Sequence, residues 1–205
     1  MHRSDYEALG VMPVMVIDKV EQAVPLAESL KKGGVKALEI TLRTESAWDA
    51  IKAIKNEVEG MKIGIGTVVN TDQLKKAAAL DVDFAISPGI SSTLIKSAQD
   101  LGVAFLPGVA TSSDIITGIE HGLSEFKFFP AEAAGGIPML KSFAGPFSDI
   151  SFCPTGGISI DTFTNYLALP NVMCVGGSWL ADKALMDAGD WDGISAIAEN
   201  TYQQI

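Results

Sequence analysis

The sequence predicts an α/β chain of one domain, a (β/α)8 barrel over residues 1–205 with a short N-terminal helix. Three observations carry that reading. Short, nearly continuous apolar runs recur about every 20 to 25 residues, as expected for parallel strands covered on both faces. Amphipathic stretches lie between them. Eight such runs fit into 205 residues, the short end of the range for this barrel, so the loops are lean. An open doubly wound sheet is the alternative topology. No Gly-x-Gly-x-x-Gly fingerprint opens a helix after the first strand, which weakens a dinucleotide-binding reading.

The first strand begins at Met12 (MPVMVI). Val20 to Lys32 then places Val20, Ala23, Val24, Ala27 and Leu30 on one helical face, and Gly33-Gly34 closes it. The second strand begins at Ala37 (ALEITL) and is followed by a helix from Ala47 to Val58. The third, at Lys62 (KIGIGTV), leads into Gln73 to Leu80 with Asn70 as N-cap. The fourth, at Phe84 (FAISP), leads into Thr93 to Leu101 with Ser92 as cap. The fifth, at Val103 (VAFLPGV), leads into Ser113 to His121 with Ser112 as cap. The last three strands begin at Glu125 (EFKFFP), Ile150 (ISFCPTGG) and Met173 (MCVGGSW). Asp161 to Leu169 and Ile194 to Tyr202 supply the remaining helices.

Hydrophobic residues make up 47% and charged residues 20%, a folded rather than a disordered composition. No apolar run approaches the roughly 20 residues that span a bilayer. Met1 to Leu9 is polar and mixed in charge, so cytoplasmic residence is expected. The net charge of −10 argues against nucleic acid or an anionic membrane as partner. A phosphorylated small molecule remains compatible if local donors hold it. Cys153 and Cys174 lie in apolar strand-like segments and read as buried, reduced thiols. His2 and His121 are the only histidines, and no metal-ligand spacing is present. His121 reads as a helix-end residue. Trp48, Trp179 and Trp191 read as packing residues, with Trp179 buttressing the turn beside it.

Chemistry concentrates at the C-terminal strand ends of such a barrel. Lys127 stands alone in the aromatic run Glu125-Phe126-Lys127-Phe128-Phe129-Pro130. An unpaired buried ammonium is costly, and a lysine amine that has shed its proton attacks carbonyls to form Schiff bases. Glu39, Thr41 and Arg43 are two residues apart, which puts them on one side of their strand, facing the interior with Lys127. The plainer reading is a buried ion pair of Glu39 with Lys127 or Arg43 that only fixes the core. Glycine pairs at Gly156-Gly157 and Gly176-Gly177 end the last two strands. They permit close backbone approach, and a following helix N-terminus would favour an anion.

Leu38-Glu39-Ile40-Thr41-Leu42-Arg43-Thr44, Gly66-Thr67-Val68, Ile86-Ser87-Pro88-Gly89, Phe126-Lys127-Phe128-Phe129-Pro130-Ala131-Glu132, Pro154-Thr155-Gly156-Gly157-Ile158 and Gly176-Gly177-Ser178-Trp179 together resemble the bacterial 2-keto-3-deoxy-6-phosphogluconate (KDPG) aldolases. The resemblance runs from about Pro13 to Asp190. It implies a small (β/α)8 barrel, a homotrimer, and a class I aldolase that needs no metal or other cofactor. It makes Lys127 the Schiff-base lysine and Glu39 the general acid/base. Arg43 and Thr67 would hold the pyruvate-side carboxylate, with Pro88 and Phe129 lining that pocket. Gly156, Gly157, Gly177 and Ser178 would hold the phosphate. The substrate expected is KDPG, with 4-hydroxy-2-oxoglutarate as a second. An aldolase for the C4-epimeric 6-phosphogalactonate, a phosphate-binding isomerase or decarboxylase, and a non-catalytic sugar-phosphate binder are the alternatives.

Overall fold

The computed structural model describes residues 1–205. Nine short strands alternate with ten helices. The strands are β1 (Val11–Met15), β2 (Ala37–Thr41), β3 (Lys62–Gly66), β4 (Phe84–Ile86), β5 (Phe105–Leu106), β6 (Gly108–Val109), β7 (Glu125–Phe128), β8 (Ser151–Pro154) and β9 (Val175–Gly177). The helices are α1 (Arg3–Glu7), α2 (Ala23–Lys32), α3 (Ala47–Glu57), α4 (Thr71–Ala79), α5 (Ser92–Leu101), α6 (Ser112–Glu120), α7 (Gly136–Phe143), α8 (Phe163–Leu167), α9 (Lys183–Ala188) and α10 (Trp191–Tyr202). None is long and apolar enough to cross a membrane.

The pairing is parallel throughout. One curled sheet of six runs β5-β4-β3-β2-β1-β9, and a second of three runs β6-β7-β8. The α/β class is therefore as expected. The eight predicted strands appear as nine because Pro107 divides the fifth. Proline has no N–H to give to a ladder. On one side Ile86 pairs with Leu106; on the other Gly108 pairs with Lys127.

Several boundaries differ from the sequence reading. Asn70 does cap its helix, accepting from the Gln73 N–H at 3.0 Å. The other two caps fall one residue earlier, at Ser91 and Thr111. The hydroxyl must lie outside the helix to reach the third N–H, so an adjacent serine leaves the choice open to sequence. The predicted start at Val20 is a 3-10 turn, Val20–Gln22, before α2. Two helices, α7 and α9, lie outside the predicted elements. α7 opens with Gly135-Gly136 and carries Pro138 in its first turn, where the missing N–H has no intrahelical partner anyway. α9 has six residues, too few to show a periodicity.

Glycines make room for the inward side chains. A Cβ on Gly66 would lie 2.0 Å from the Glu39 carboxylate, and one on Gly64 would lie 2.0 Å from the Phe84 ring. Ile63 and Ile65 alternate with them and join the main core. A second, smaller core of ten residues includes Met12, Ala37, Phe84, Met173, Cys153 and Cys174, and Tyr6 of α1 closes it. Both cysteines are buried free thiols. The neighbouring Cys153 thiol, together with burial, pushes Cys174 up. Around β7, Phe128 meets Phe143 at 6.0 Å and Phe152 at 6.4 Å, both edge-to-face. Such contacts contribute about 0.5–1.5 kcal/mol each beyond area burial. They anchor the flanking phenylalanine outward, which aims Lys127 inward.

Candidate active site

A cavity of about 720 Å³ opens at the C-terminal strand ends. All ten residues singled out by the sequence line it: Glu39, Arg43, Thr67, Pro88, Lys127, Phe129, Gly156, Gly157, Gly177 and Ser178. At its floor Lys127 is 5% exposed and Glu39 0%. The Lys127 Nζ lies 3.1 and 3.3 Å from the two Glu39 oxygens. It also sits 5.4 Å from the centre of the Phe129 ring. A buried ion pair contributes little to stability over apolar residues of equal volume. Here it faces a cavity, so the amine is within reach of a ligand while the carboxylate stands ready to exchange a proton with it.

Thr41, on the same face, donates to the Met15 carbonyl at 3.0 Å and ties β2 to β1. Arg43 departs from the reading. The ladder ends where Leu42 N–H meets the Gly66 carbonyl at 2.9 Å, and Arg43 lies beyond it, in a turn. It is exposed at the cavity wall rather than inside the strand. Its guanidinium has no protein partner among the ion pairs and side-chain hydrogen bonds. It can therefore present its planar fork to a carboxylate.

Thr67 adopts φ +61°, a left-handed conformation that a β-branched residue rarely takes. Such strain costs about 1–3 kcal/mol and persists where the surroundings impose it. The Pro88 backbone packs against β6 because Gly108 lacks a side chain; a Cβ there would lie 2.4 Å from the Pro88 carbonyl oxygen. The Ser87 hydroxyl closes the same turn on the Gly89 carbonyl at 2.5 Å.

The glycine-lined end is built differently from the expectation. Gly156 and Gly157 take φ +104° and +81°, conformations that favour glycine. Glu132 N–H bonds the Gly156 carbonyl at 3.1 Å, and the Glu132 carboxylate accepts from the Tyr166 hydroxyl. Burial, and then that carboxylate, push the Tyr166 phenol up. The N–H groups of Gly157 and Ser178 donate to no protein acceptor. No helix N-terminus directly follows either pair, contrary to the expectation. α8 begins at Phe163, and α9 begins at Lys183 with its end already capped by Asp182, which accepts from Ala184 N–H at 2.6 Å. With no helix N-terminus there, the neutral donors left at this end are the turn amides and the Ser178 hydroxyl.

Sequence reasoning left out Asp18, Thr155 and Lys183, which also line the cavity. Thr155 had a usable signal: it is two residues past the inward Cys153 and fills the space left by Gly176, where a Cβ would lie 2.2 Å from its hydroxyl. Asp18 and Lys183 had none, being separated by 165 residues.

The sequence profile described as "Aldolase: KDPG and KHG aldolase" matches residues 3–197. The chain belongs to this family. A 2-dehydro-3-deoxy-phosphogluconate aldolase of Pseudoalteromonas atlantica is 52% identical over 92% of this chain and 88% of its own length. A KHG/KDPG aldolase of Escherichia coli is 49% identical over 94% and 91%. Among solved structures, the KDPG aldolase of Legionella pneumophila superposes with a TM-score of 0.95 at 42% identity, covering 98% of both chains. In that crystal, pyruvate was captured as a covalent carbinolamine.

Membership in an aldolase family gives the Thr67 conformation a measurable consequence. Thr67→Gly removes strain of about 1–3 kcal/mol and gives back about 0.5–1 kcal/mol in unfolded-chain entropy. The variant is expected to melt at or above the wild-type temperature. If the Thr67 hydroxyl holds a substrate carboxylate, as the resemblance implies, losing that bond of about 1.5–3 kcal/mol should weaken pyruvate binding about 10- to 100-fold. Calorimetry alongside pyruvate titration checks both. A lower melting temperature would remove the strain argument.

Proposed function

We infer that this chain is a class I aldolase that cleaves KDPG to pyruvate and glyceraldehyde 3-phosphate. The observation that carries the inference is the buried Lys127–Glu39 pair at the floor of the cavity, 3.1 Å apart, in a member of this family. Lys127 gives its proton to Glu39 and attacks the C2 ketone, Glu39 returns that proton to the carbinolamine hydroxyl, which leaves as water, and an iminium forms. That iminium is the electron sink for C3–C4 cleavage. Glu39, directly or through a water, takes the C4 hydroxyl proton. Glyceraldehyde 3-phosphate leaves, and an enamine of pyruvate stays on Lys127. Glu39 returns a proton to it, and water releases pyruvate.

Arg43 and Thr67 hold the C1 carboxylate, and Pro88 and Phe129 enclose the pyruvate half. Gly156, Gly157, Gly177 and Ser178 hold the phosphate. The second substrate is 4-hydroxy-2-oxoglutarate, split to pyruvate and glyoxylate; the name of the E. coli relative supports this. Comparing turnover of the two C4 epimers decides between the gluconate and galactonate series. Family membership weighs against the isomerase, decarboxylase and simple binder readings.

The reading extends to assembly. The strands form a closed (β/α)8 barrel if β5 and β6 count as one. Parallel bridges from Phe152 to Val172 and from Thr155 to Gly176, which join β8 to β9, support closure. The family resemblance supports a cytoplasmic homotrimer, which a solution mass near three times 21.6 kDa tests.

The functional test is incubation with pyruvate and borohydride. One reduced pyruvate unit on the Lys127 peptide supports the reading; labelling at another lysine, or none, overturns it. The phosphate assignment is tested at Ser178. Ser178→Ala should cost the phosphorylated substrate about 1.5–3 kcal/mol and leave pyruvate trapping intact. Gly177 is the wrong place to look. A Cβ there would lie 1.7 Å from the Trp179 ring, so any larger residue disturbs packing before it touches phosphate.

A further inference from the structure

The cavity lining has an unusual charge balance. Asp18, Asp182 and Asp187 line the same cavity as Gly157 and Ser178. Three carboxylates oppose a phosphate, and the chain as a whole carries −10. The lining holds three cations. Arg43 and Lys127 belong to the carboxylate and the reacting carbon. The third is Lys183, at the start of α9.

Lys183 is placed to move. Its Nζ lies 3.0 Å from Asp18, which follows β1, and 3.1 Å from Asp187, one turn along α9. These two hydrogen bonds, Asp18 first, raise its proton affinity and keep it cationic. The side chain is 69% exposed and its partners 48% and 43%, so the pairs are weak and exchangeable. The base it swings from is fixed. Gln22 donates to the Met186 carbonyl at 3.0 Å and pins α9 to the segment after β1. Asp182 accepts from the Ala184 N–H through Oδ1 and forms no ion pair with Lys183.

We propose that Lys183 is a specificity-determining residue that transfers its ammonium from Asp18 to the substrate's terminal phosphate. Asp18 is the counter-anion that holds the ammonium when no phosphate is bound. A phosphate dianion attracts the ammonium more strongly than one carboxylate does. An acceptor without the phosphate leaves the Lys183–Asp18 pair closed and gains nothing from it. The proposal rests on the aldolase reading.

The test uses the full chain in the condensation direction, with pyruvate and either glyceraldehyde 3-phosphate or glyceraldehyde as acceptor. Lys183→Gln is expected to lower the ratio of kcat/KM between the two acceptors about 3- to 30-fold, a half-exposed charged hydrogen bond's worth. Asp18→Asn should raise that ratio, because it removes the competing anion. Salt should weaken the phosphate preference of the wild type more than that of Lys183→Gln. An unchanged ratio in Lys183→Gln, or a fall in Asp18→Asn, overturns the proposal. Borohydride trapping of pyruvate on Lys127 is measured in every variant. A wild type that fails to trap refutes the aldolase reading. Normal trapping with an unchanged ratio refutes only the role of Lys183.

Discussion

Lys127→Ala is expected to lower kcat/KM for KDPG by about 10⁴-fold or more, at least about 5.4 kcal/mol of transition-state stabilisation. The same variant should take up no label from pyruvate and borohydride. Without the amine no iminium forms, and cleavage has no electron sink. The structure adds a stability consequence. Lys127 is the only cation within hydrogen-bond distance of the Glu39 carboxylate, which is 0% exposed. Leaving a buried charge unpaired costs about 3–5 kcal/mol. Lys127→Ala should therefore melt well below the wild type. Lys127→Met combined with Glu39→Gln removes both charges at similar volume and should recover most of that loss while staying inactive. A double variant that folds and still turns over KDPG would falsify the assignment.

Glu39→Gln carries the second large effect. The amide keeps the shape that fits against Gly66, where the gap is too small for a Cβ, and removes the proton acceptor. Turnover should fall about 10²- to 10⁴-fold. The loss should appear in kcat rather than KM, as for a group that acts in the transition state. Pyruvate trapping on Lys127 should persist, though more slowly, because the amine is still present. Turnover within a few-fold of wild type would give the proton transfers to another group. Thr155, buried at the cavity wall, would be the next residue to examine.

Both residues were legible in the sequence for one reason. A charge inside an apolar strand violates the local pattern, and period two says which way it points. EFKFFP and ALEITL each contain such a violation, and their strands are 88 residues apart. The glycines of KIGIG were legible as a strand, but not as the space into which Glu39 and Phe84 fit. That depends on register, and Glu39 opposite Gly64 is fixed only by the assembled sheet. Arg43 lies outside the strand that the sequence predicts for it, because the alternation continues past the point where pairing stops. The last ladder bond, from Leu42 to Gly66, lies just before it.

The sequence by itself determined the α/β class, through periodicity and composition, and the family and ten of the cavity residues, through contiguous motifs. Tertiary structure decided the conformation and company of those residues. It imposed φ +61° on Thr67, which no local preference favours. It also brought Asp18 to within 3.0 Å of Lys183. Side chains 165 residues apart leave no mark of their meeting in either local sequence. Their distance is set by how the helices pack around the sheet, a property of the whole chain rather than of any segment.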